Sequence, residues 1–218
     1  MTKIKPRPAL RAMLAAAILL ALTVALAVCM PGNAKAAPTD IDYAKSGDLC
    51  YLLYDDGTAA VSQDVEYNYY ELTTVVIPST ITITRADFYN DPGTDDYDGI
   101  YKVTTIGDSA FDSNSDIVNL DLSGADNLRE IRDGAFSNST VANVNFSSAV
   151  NLEILGYYAF GGCSELKTVD FSGHTALVRL EDSAFSWSGV VTADFSGCTG
   201  LVSVEYNAFN SSALETIS

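Results

Sequence analysis

The phrase Ile106-Gly107-Asp108-Ser109-Ala110-Phe111 returns four times with its frame intact. It reappears as Ile131-Arg132-Asp133-Gly134-Ala135-Phe136, Leu155-Gly156-Tyr157-Tyr158-Ala159-Phe160, Leu180-Glu181-Asp182-Ser183-Ala184-Phe185 and Val204-Glu205-Tyr206-Asn207-Ala208-Phe209. From Phe to Phe the steps are 25, 24, 25 and 24 residues. Three positions before each leading aliphatic stands another: Val103, Leu128, Leu152, Leu177 and Leu201. A second block keeps the same period, in Leu120-Asp121-Leu122-Ser123-Gly124, Val144-Asn145-Phe146-Ser147-Ser148, Val169-Asp170-Phe171-Ser172-Gly173 and Ala193-Asp194-Phe195-Ser196-Gly197. Columns held in register this way define a structural repeat.

A period of about 24 residues falls in the leucine-rich-repeat range and is short for paired-helix repeats. Within a turn, Leu120-Asp121-Leu122 reads as a short strand, with two side chains inward and one outward. Equivalent residues on successive turns stack about 4.8 Å apart. Phe111, Phe136, Phe160, Phe185 and Phe209 are therefore expected to form one buried ladder. Leu122, Phe146, Phe171 and Phe195 form another. Each buried ring contributes about 1.5–3 kcal/mol, so the aromatics read as core rather than as a ligand box.

A finer regularity lies inside each turn. Phe160-x-x-Cys163-x-x-Leu166-x-x-Val169 matches Phe195-x-x-Cys198-x-x-Leu201-x-x-Val204. Two half-turns of about a dozen residues predict two strand ladders per coil. Cys163 and Cys198 then lie on different half-turns, which disfavours a bond between them. The expected fold is a mainly β repeat solenoid preceded by a β-hairpin cap.

The Ile106-Gly107-Asp108-Ser109-Ala110-Phe111 phrase, together with Gly162-Cys163-x-x-Leu166, resembles the BspA-type leucine-rich repeats of bacterial and protist surface proteins. So do Val75-Val76-Ile77-Pro78-Ser79-Thr80-Ile81 and Tyr101-Lys102-Val103-Thr104-Thr105-Ile106-Gly107. The resemblance covers roughly residues 74–218. It departs from the family where most turns carry Asp-Phe-Ser-Gly in place of an Ile-Pro step. The resemblance implies surface roles such as adhesion, with extracellular or host-surface proteins as partners.

Outside the array, residues 1–36 read as a signal peptide. Lys3, Lys5, Arg7 and Arg11 precede an uncharged apolar run from Ala12 to Met30, and Ala34-Lys35-Ala36 supplies a small-residue exit site. A run this long could also remain in the bilayer as an anchor, but the exit site favours cleavage. A secreted or cell-surface location follows, with no membrane insertion beyond this segment. Residues 37–73 are the expected N-terminal β cap, with strand-like segments on either side of the Asp56-Gly57 turn. The solenoid occupies 74–218 and is interrupted by an acidic, Tyr-rich insertion at about 82–100, read as a loop. In register, Ile217 falls on the column of Leu120, Val144, Val169 and Ala193. The array is thus expected to be cut off inside a strand, as one portion of a longer surface protein.

The whole chain carries 12 Lys+Arg against 28 Asp+Glu, a net charge of −16. Five of the basic residues and none of the acids precede Ala37, so the remainder carries 7 minus 28, or −21. Such a polyanion repels nucleic acid and anionic membrane surfaces.

Candidate binding residues fall into two groups. Asp121, Asn145, Asp170 and Asp194 form an outward column, either a solvated polar face or a ligand stripe. Tyr89 and Tyr97 belong to the insertion, and nine of the 12 tyrosines precede Lys102. Tyrosine offers large contact area at low entropic cost. Asp91, Asp95, Asp96 and Asp98 hint at weak calcium binding, but Thr94 stands where a first EF-hand ligand belongs and no Glu closes the loop. No other cofactor is expected. His174, the single histidine, sits in the column of Ala125, Ala149 and Cys198, so no triad or zinc site can be built around it. Sequons occur at Asn138, Asn145 and Asn210.

Two functions remain: a binding or adhesion module, or a secreted parallel β-helix enzyme acting on polysaccharide. Catalysis needs acidic or basic groups converging at one point, whereas the repeat spreads the acids along columns. The sequence favours a non-enzymatic binding module.

Overall fold

The computed structural model describes residues 40–63, 69, 71–84, 87 and 98–218. The predicted signal segment lies outside them. The described residues form short strands in chain order: β1 (Asp40–Ser46), β2 (Leu49–Tyr54), β3 (Thr58–Ser62), β4 (Thr74–Val76), β5 (Thr80–Ile83), β6 (Gly99–Ile106), β7 (Asn119–Asp121), β8 (Glu130–Ile131), β9 (Asn143–Asn145), β10 (Ile154–Leu155), β11 (Thr168–Asp170), β12 (Arg179–Leu180), β13 (Thr192–Asp194), β14 (Ser203–Val204) and β15 (Thr216–Ile217).

Strands β1, β2 and β3 pair antiparallel in that order. Gly57 takes the positive φ of 79° that the β2–β3 turn requires and donates its N–H to the Tyr54 carbonyl at 3.1 Å. Asp56 Oδ1 accepts from the Thr58 N–H at 3.1 Å. Strand β3 also pairs parallel with β6, with Ala59 opposite Val103 and Val61 opposite Ile106. The third strand therefore serves as the first rung of the long sheet, which runs on through β6, β8, β10, β12 and β14.

Strand β5 pairs antiparallel with the start of β6, Ile81 opposite Tyr101 and Ile83 opposite Gly99. The edges of the expected insertion, 82–83 and 99–100, are therefore paired strand, and residues 85–86 and 88–97 lie outside the described residues. The alternation of Ile81 and Ile83 with Thr80 and Thr82 places the isoleucines in the core and satisfies the backbone across the pair.

Every turn contributes one short strand to each of two ladders, as the half-turn pattern predicts. Left-handed residues follow every Ala-Phe pair, precede four of the five, and keep the strands short. They are Ser109, Gly134, Tyr158 and Ser183 on one side, and Ser113, Asn138, Gly162, Trp187 and Ser211 on the other. The backbone still bonds from turn to turn through these bends: the N–H of Phe111, Phe136, Phe160 and Phe185 donates to Ala135, Ala159, Ala184 and Ala208 at 2.7–2.8 Å.

The second ladder is split. Strands β4, β7 and β9 form one three-stranded sheet, and β11, β13 and β15 another. The break falls where the ten-position step from Phe136 to Phe146 meets the eleven-position step from Phe160 to Phe171.

The core is the pair of ring ladders. Successive rings from Phe111 to Phe209 lie 5.0, 5.1, 5.5 and 5.1 Å apart and within 13° of parallel. Phe146, Phe171 and Phe195 stack at 4.4 and 5.4 Å. The two ladders meet edge-on, with Phe146 against Phe160 and Phe195 against Phe209 at 75°. Phe111, Phe136, Phe160 and Phe185 are buried, whereas Phe209 in the last turn is half-buried.

At the other end Tyr69 extends the ladder, its ring 4.9 Å from Phe111. Its hydroxyl accepts from the Cys50 N–H at 3.0 Å and donates to the Ser62 carbonyl. The half-turn equivalence is visible in the thiols, which are free. Cys163 donates to the Phe136 carbonyl at 3.1 Å and Cys198 to that of Phe171 at 3.0 Å. His174 fills the matching place, with Nε2 3.1 Å from the Phe146 carbonyl oxygen.

Candidate binding faces

The outward side of the split ladder carries the Asp/Asn column. Asp121 stands opposite Asn145 across β7–β9, and Asp170 opposite Asp194 across β11–β13. The four are therefore two in-register pairs on separate sheets. Each bends back on its own chain: Oδ1 of Asp121, Asn145, Asp170 and Asp194 accepts from the N–H of Ser123, Ser147, Ser172 and Ser196 at 2.8, 3.1, 2.8 and 2.8 Å. Such Asx turns redirect a strand into a bend. The hydrogen bond from the Ser196 backbone, with smaller contributions from the Ser196 and Ser218 side chains, holds the Asp194 carboxyl below the usual range. Beside this column the Asn143 amide donates to Asn119 Oδ1 at 2.9 Å, and the Asn119 amide to Thr74 Oγ1 at 3.3 Å. Apart from Val76, which stands opposite Asp121 and is exposed, this face is polar, and among the described residues its strands present no aromatic side chain.

The outward side of the long sheet is chemically different. The residue after each inward leucine gives the column Arg129, Glu153, Val178, Val202. The strands add Glu130, Ile154, Arg179 and Ser203, and the next positions Arg132, Gly156, Glu181 and Glu205. The outermost column runs Asp108, Asp133, Tyr157, Asp182, Tyr206. Tyr157 is 52% exposed, Val178 41%, Val202 83% and Tyr206 94%. All three arginines between Gly99 and Ser218 lie on this face. Arg129 pairs with Glu153, while Arg132 meets Glu130 and Arg179 meets Glu181 at 3.1 Å each.

The acids of this face bracket neighbouring turns. Asp108 Oδ1 accepts from the Asp133 N–H at 3.2 Å, Asp133 Oδ1 from Tyr157 at 2.8 Å and Asp182 Oδ1 from Asn207 at 3.3 Å. Gly156 makes room for this, because a Cβ there would lie 2.6 Å from Asp133 Oδ1. Burial raises the Asp108 carboxyl above its ordinary range, and Asp133 and Glu130 add to this against Arg132. Burial likewise raises Glu181, with Asp133 and Glu205 adding to it against Arg179. Burial works against the charge of Arg132, but Tyr54, Glu130 and Asp108 more than offset it and hold the guanidinium above its ordinary value.

The family model for the BspA type leucine rich repeat region matches residues 82–215 in six copies. The chain belongs to the BspA-type leucine-rich-repeat family. Among solved structures, a leucine-rich repeat protein from Bacteroides ovatus aligns at a TM-score of 0.58 and 22% identity, covering 84% of this chain and 40% of that one. Another from Bacteroides capillosus gives 0.50 and 22%, covering 75% and 97%. The pneumococcal vaccine antigen PcpA gives 0.52 and 16%, covering 82% and 49%. At these identities the likeness is one of fold. The chain spans less than half the length of the Bacteroides ovatus and pneumococcal proteins. No curated protein matches it in sequence.

In this leucine-rich-repeat chain, Tyr89, Tyr97, Asp91, Asp95 and Asp96 lie outside the described residues, and Asp98 is exposed. Among the described residues no three His, Cys, Asp or Glu side chains are grouped to hold a metal. Sequence reasoning passed over Tyr157 and Tyr206. Their signal was an aromatic standing in a column that otherwise carries aspartate.

Proposed function

We propose that the chain is a cell-surface or secreted binding and adhesion module that holds a protein partner on the outward face of its long sheet. The observation that carries this is the exposure of Tyr157, Val178, Val202 and Tyr206 on successive turns beside Arg129, Arg132 and Arg179. Protein interfaces are enriched in aromatics and arginine, and a few such anchors carry most of the energy. Strands fixed by stacked rings present these side chains on a rigid surface, which lowers the entropic cost of association. Membership of a family of repeat surface proteins supports the location, and extracellular or host-surface proteins are the partners it suggests.

The test uses residues 38–218, the compact unit that holds the described fold. Wild type and a variant carrying Y157S, V178S, V202S and Y206S are compared in pull-downs against extracellular-matrix and cell-surface proteins. Capture by the wild type and loss of at least about tenfold in affinity in the variant is the expected outcome. Equal capture by both would place the contact elsewhere. Turnover of any polymer in a polysaccharide screen would overturn the reading in favour of an enzyme.

A further inference from the structure

The sharp bend after each Ala-Phe pair forms a corner between the two ladders. Its outward column, two positions past each Phe, runs Ser113, Asn138, Gly162, Trp187 and Ser211, all with positive φ. Trp187 is the only tryptophan in the chain, sits at φ 59° and is 64% exposed. A left-handed backbone disfavours any residue with a Cβ, and glycine takes the same place one turn earlier. Tryptophan here accepts that conformation without burying its ring in return. The repeat imposes the backbone conformation, which Ser113, Asn138 and Ser211 share, but it gives no reason for a large exposed aromatic ring at this place.

The surroundings of Trp187 narrow the ligand. Its N–H donates to the Asn210 carbonyl at 2.9 Å, and Ser186 Oγ donates to the same oxygen at 2.9 Å. On the preceding turn, Gly162 donates its N–H to the Ser186 carbonyl at 2.8 Å. Gly161 and Gly162 have no side chains to raise that floor. The Tyr158 ring packs over Gly161, and Asn138 Oδ1 lies over Gly162. The Asn138 amide is exposed and donates to Ser137 Oγ at 2.9 Å. Trp187 thus stands beside a glycine floor flanked by a second aromatic ring, an amide and hydroxyls. Charge comes close to this bend at Lys167, whose ammonium lies against Gly189 and is held by the Ser164 carbonyl.

We propose that this corner binds a neutral glycan, with a sugar ring stacked on the Trp187 indole and its hydroxyls paired with Asn138 and the neighbouring backbone. The electron-rich face of the indole attracts the weakly positive C–H face of a pyranose. Amides and hydroxyls both donate and accept, as sugar hydroxyls do. Protein hot spots cluster with other large anchors, and the corner column offers none beside Trp187. Anionic glycans are disfavoured by the net charge of −16, since the arginines of the array lie on the sheet face and Lys167 is taken up by the Ser164 carbonyl. The site adjoins the face proposed above for protein partners only at Tyr157, whose ring lies 6.0 Å from that of Tyr158.

Trp187 makes the test direct, because all tryptophan emission reports on the corner. Residues 38–218, produced without N-glycosylation, are titrated with maltohexaose, cellohexaose, chitohexaose, mannohexaose and xylohexaose. The expected result is a saturable emission shift with at least one of them. Affinity electrophoresis in the matching polysaccharide then compares variants. Trp187→Gly should weaken retention at least about tenfold while its thermal midpoint stays at or above that of the wild type, because glycine relaxes the backbone. Trp187→Tyr should restore part of the binding, and a V178S/V202S/Y206S variant, which leaves Tyr157 in place beside Tyr158, should bind as the wild type does. No shift with any of the five up to about 10 mM, a shift with polygalacturonate alone, or unchanged retention of Trp187→Gly would each overturn the proposal.

Discussion

Asp170 and Asn145 occupy equivalent places, and both accept a hydrogen bond from the backbone N–H two residues on. What the place requires is a short side chain with an acceptor oxygen; charge is secondary. Asp170→Asn should therefore be close to neutral, whereas Asp170→Ala should lose about 0.5 kcal/mol by urea unfolding. Equal losses in the two would mean that charge, not the turn, matters at this position. The sequence showed the column but not its task, because an outward polar residue in a strand looks the same whether it meets solvent or its own backbone. Tyr69 was illegible for a related reason. It completes the phenylalanine ladder from outside the repeat register, and only the fold brings it over Phe111.

At the level of elements, the phenylalanine ladder was the most legible feature, since its five members share a frame and an alanine neighbour. The same stacking makes stability depend on position in the array. Phe160 lies between Phe136 and Phe185 and is fully buried, whereas Phe209 has a ring above it on one side only and is half-buried. Phe160→Ala should cost about 3–5 kcal/mol in chemical denaturation, and Phe209→Ala distinctly less. Equal losses would argue against a stacked one-dimensional array. The pairing of β5 with β6 is not legible in sequence, because Thr80–Ile83 and Gly99–Ile106 lie far apart and only the first carries a clear alternation. The split of the second ladder left no mark in the repeat columns, because the eleven-residue step from Phe160 to Phe171 also runs from Phe111 to Leu122, where β7 and β9 still pair.

For the whole molecule the dominant fact is negative charge, −16 over the chain. Asp108 and Glu181 hold their protons more tightly folded than unfolded, chiefly through burial. Their folded pKa lies above the unfolded one, so stability falls as pH rises through the window between the two and is flat above it. Self-repulsion works in the same direction. Asp194, held below the usual range, acts oppositely, and its contribution is lost only in stronger acid. The thermal midpoint should thus rise on acidification from about pH 7 to about pH 5, and fall again below about pH 4. A midpoint that drops steadily from neutrality would contradict this balance.

The face proposed for binding is legible only at this scale. Tyr157, Val178, Val202 and Tyr206 belong to two different columns, and nothing in their spacing announces that they share a surface. The most direct measurement is hydrogen–deuterium exchange on residues 38–218 with and without a captured protein partner. The account predicts protection in segments 129–133, 153–157, 178–182 and 202–206, on the outward side of the long sheet. Protection confined to 119–121, 143–145, 168–170 and 192–194 would contradict it, because the partner would then sit on the Asp/Asn face instead.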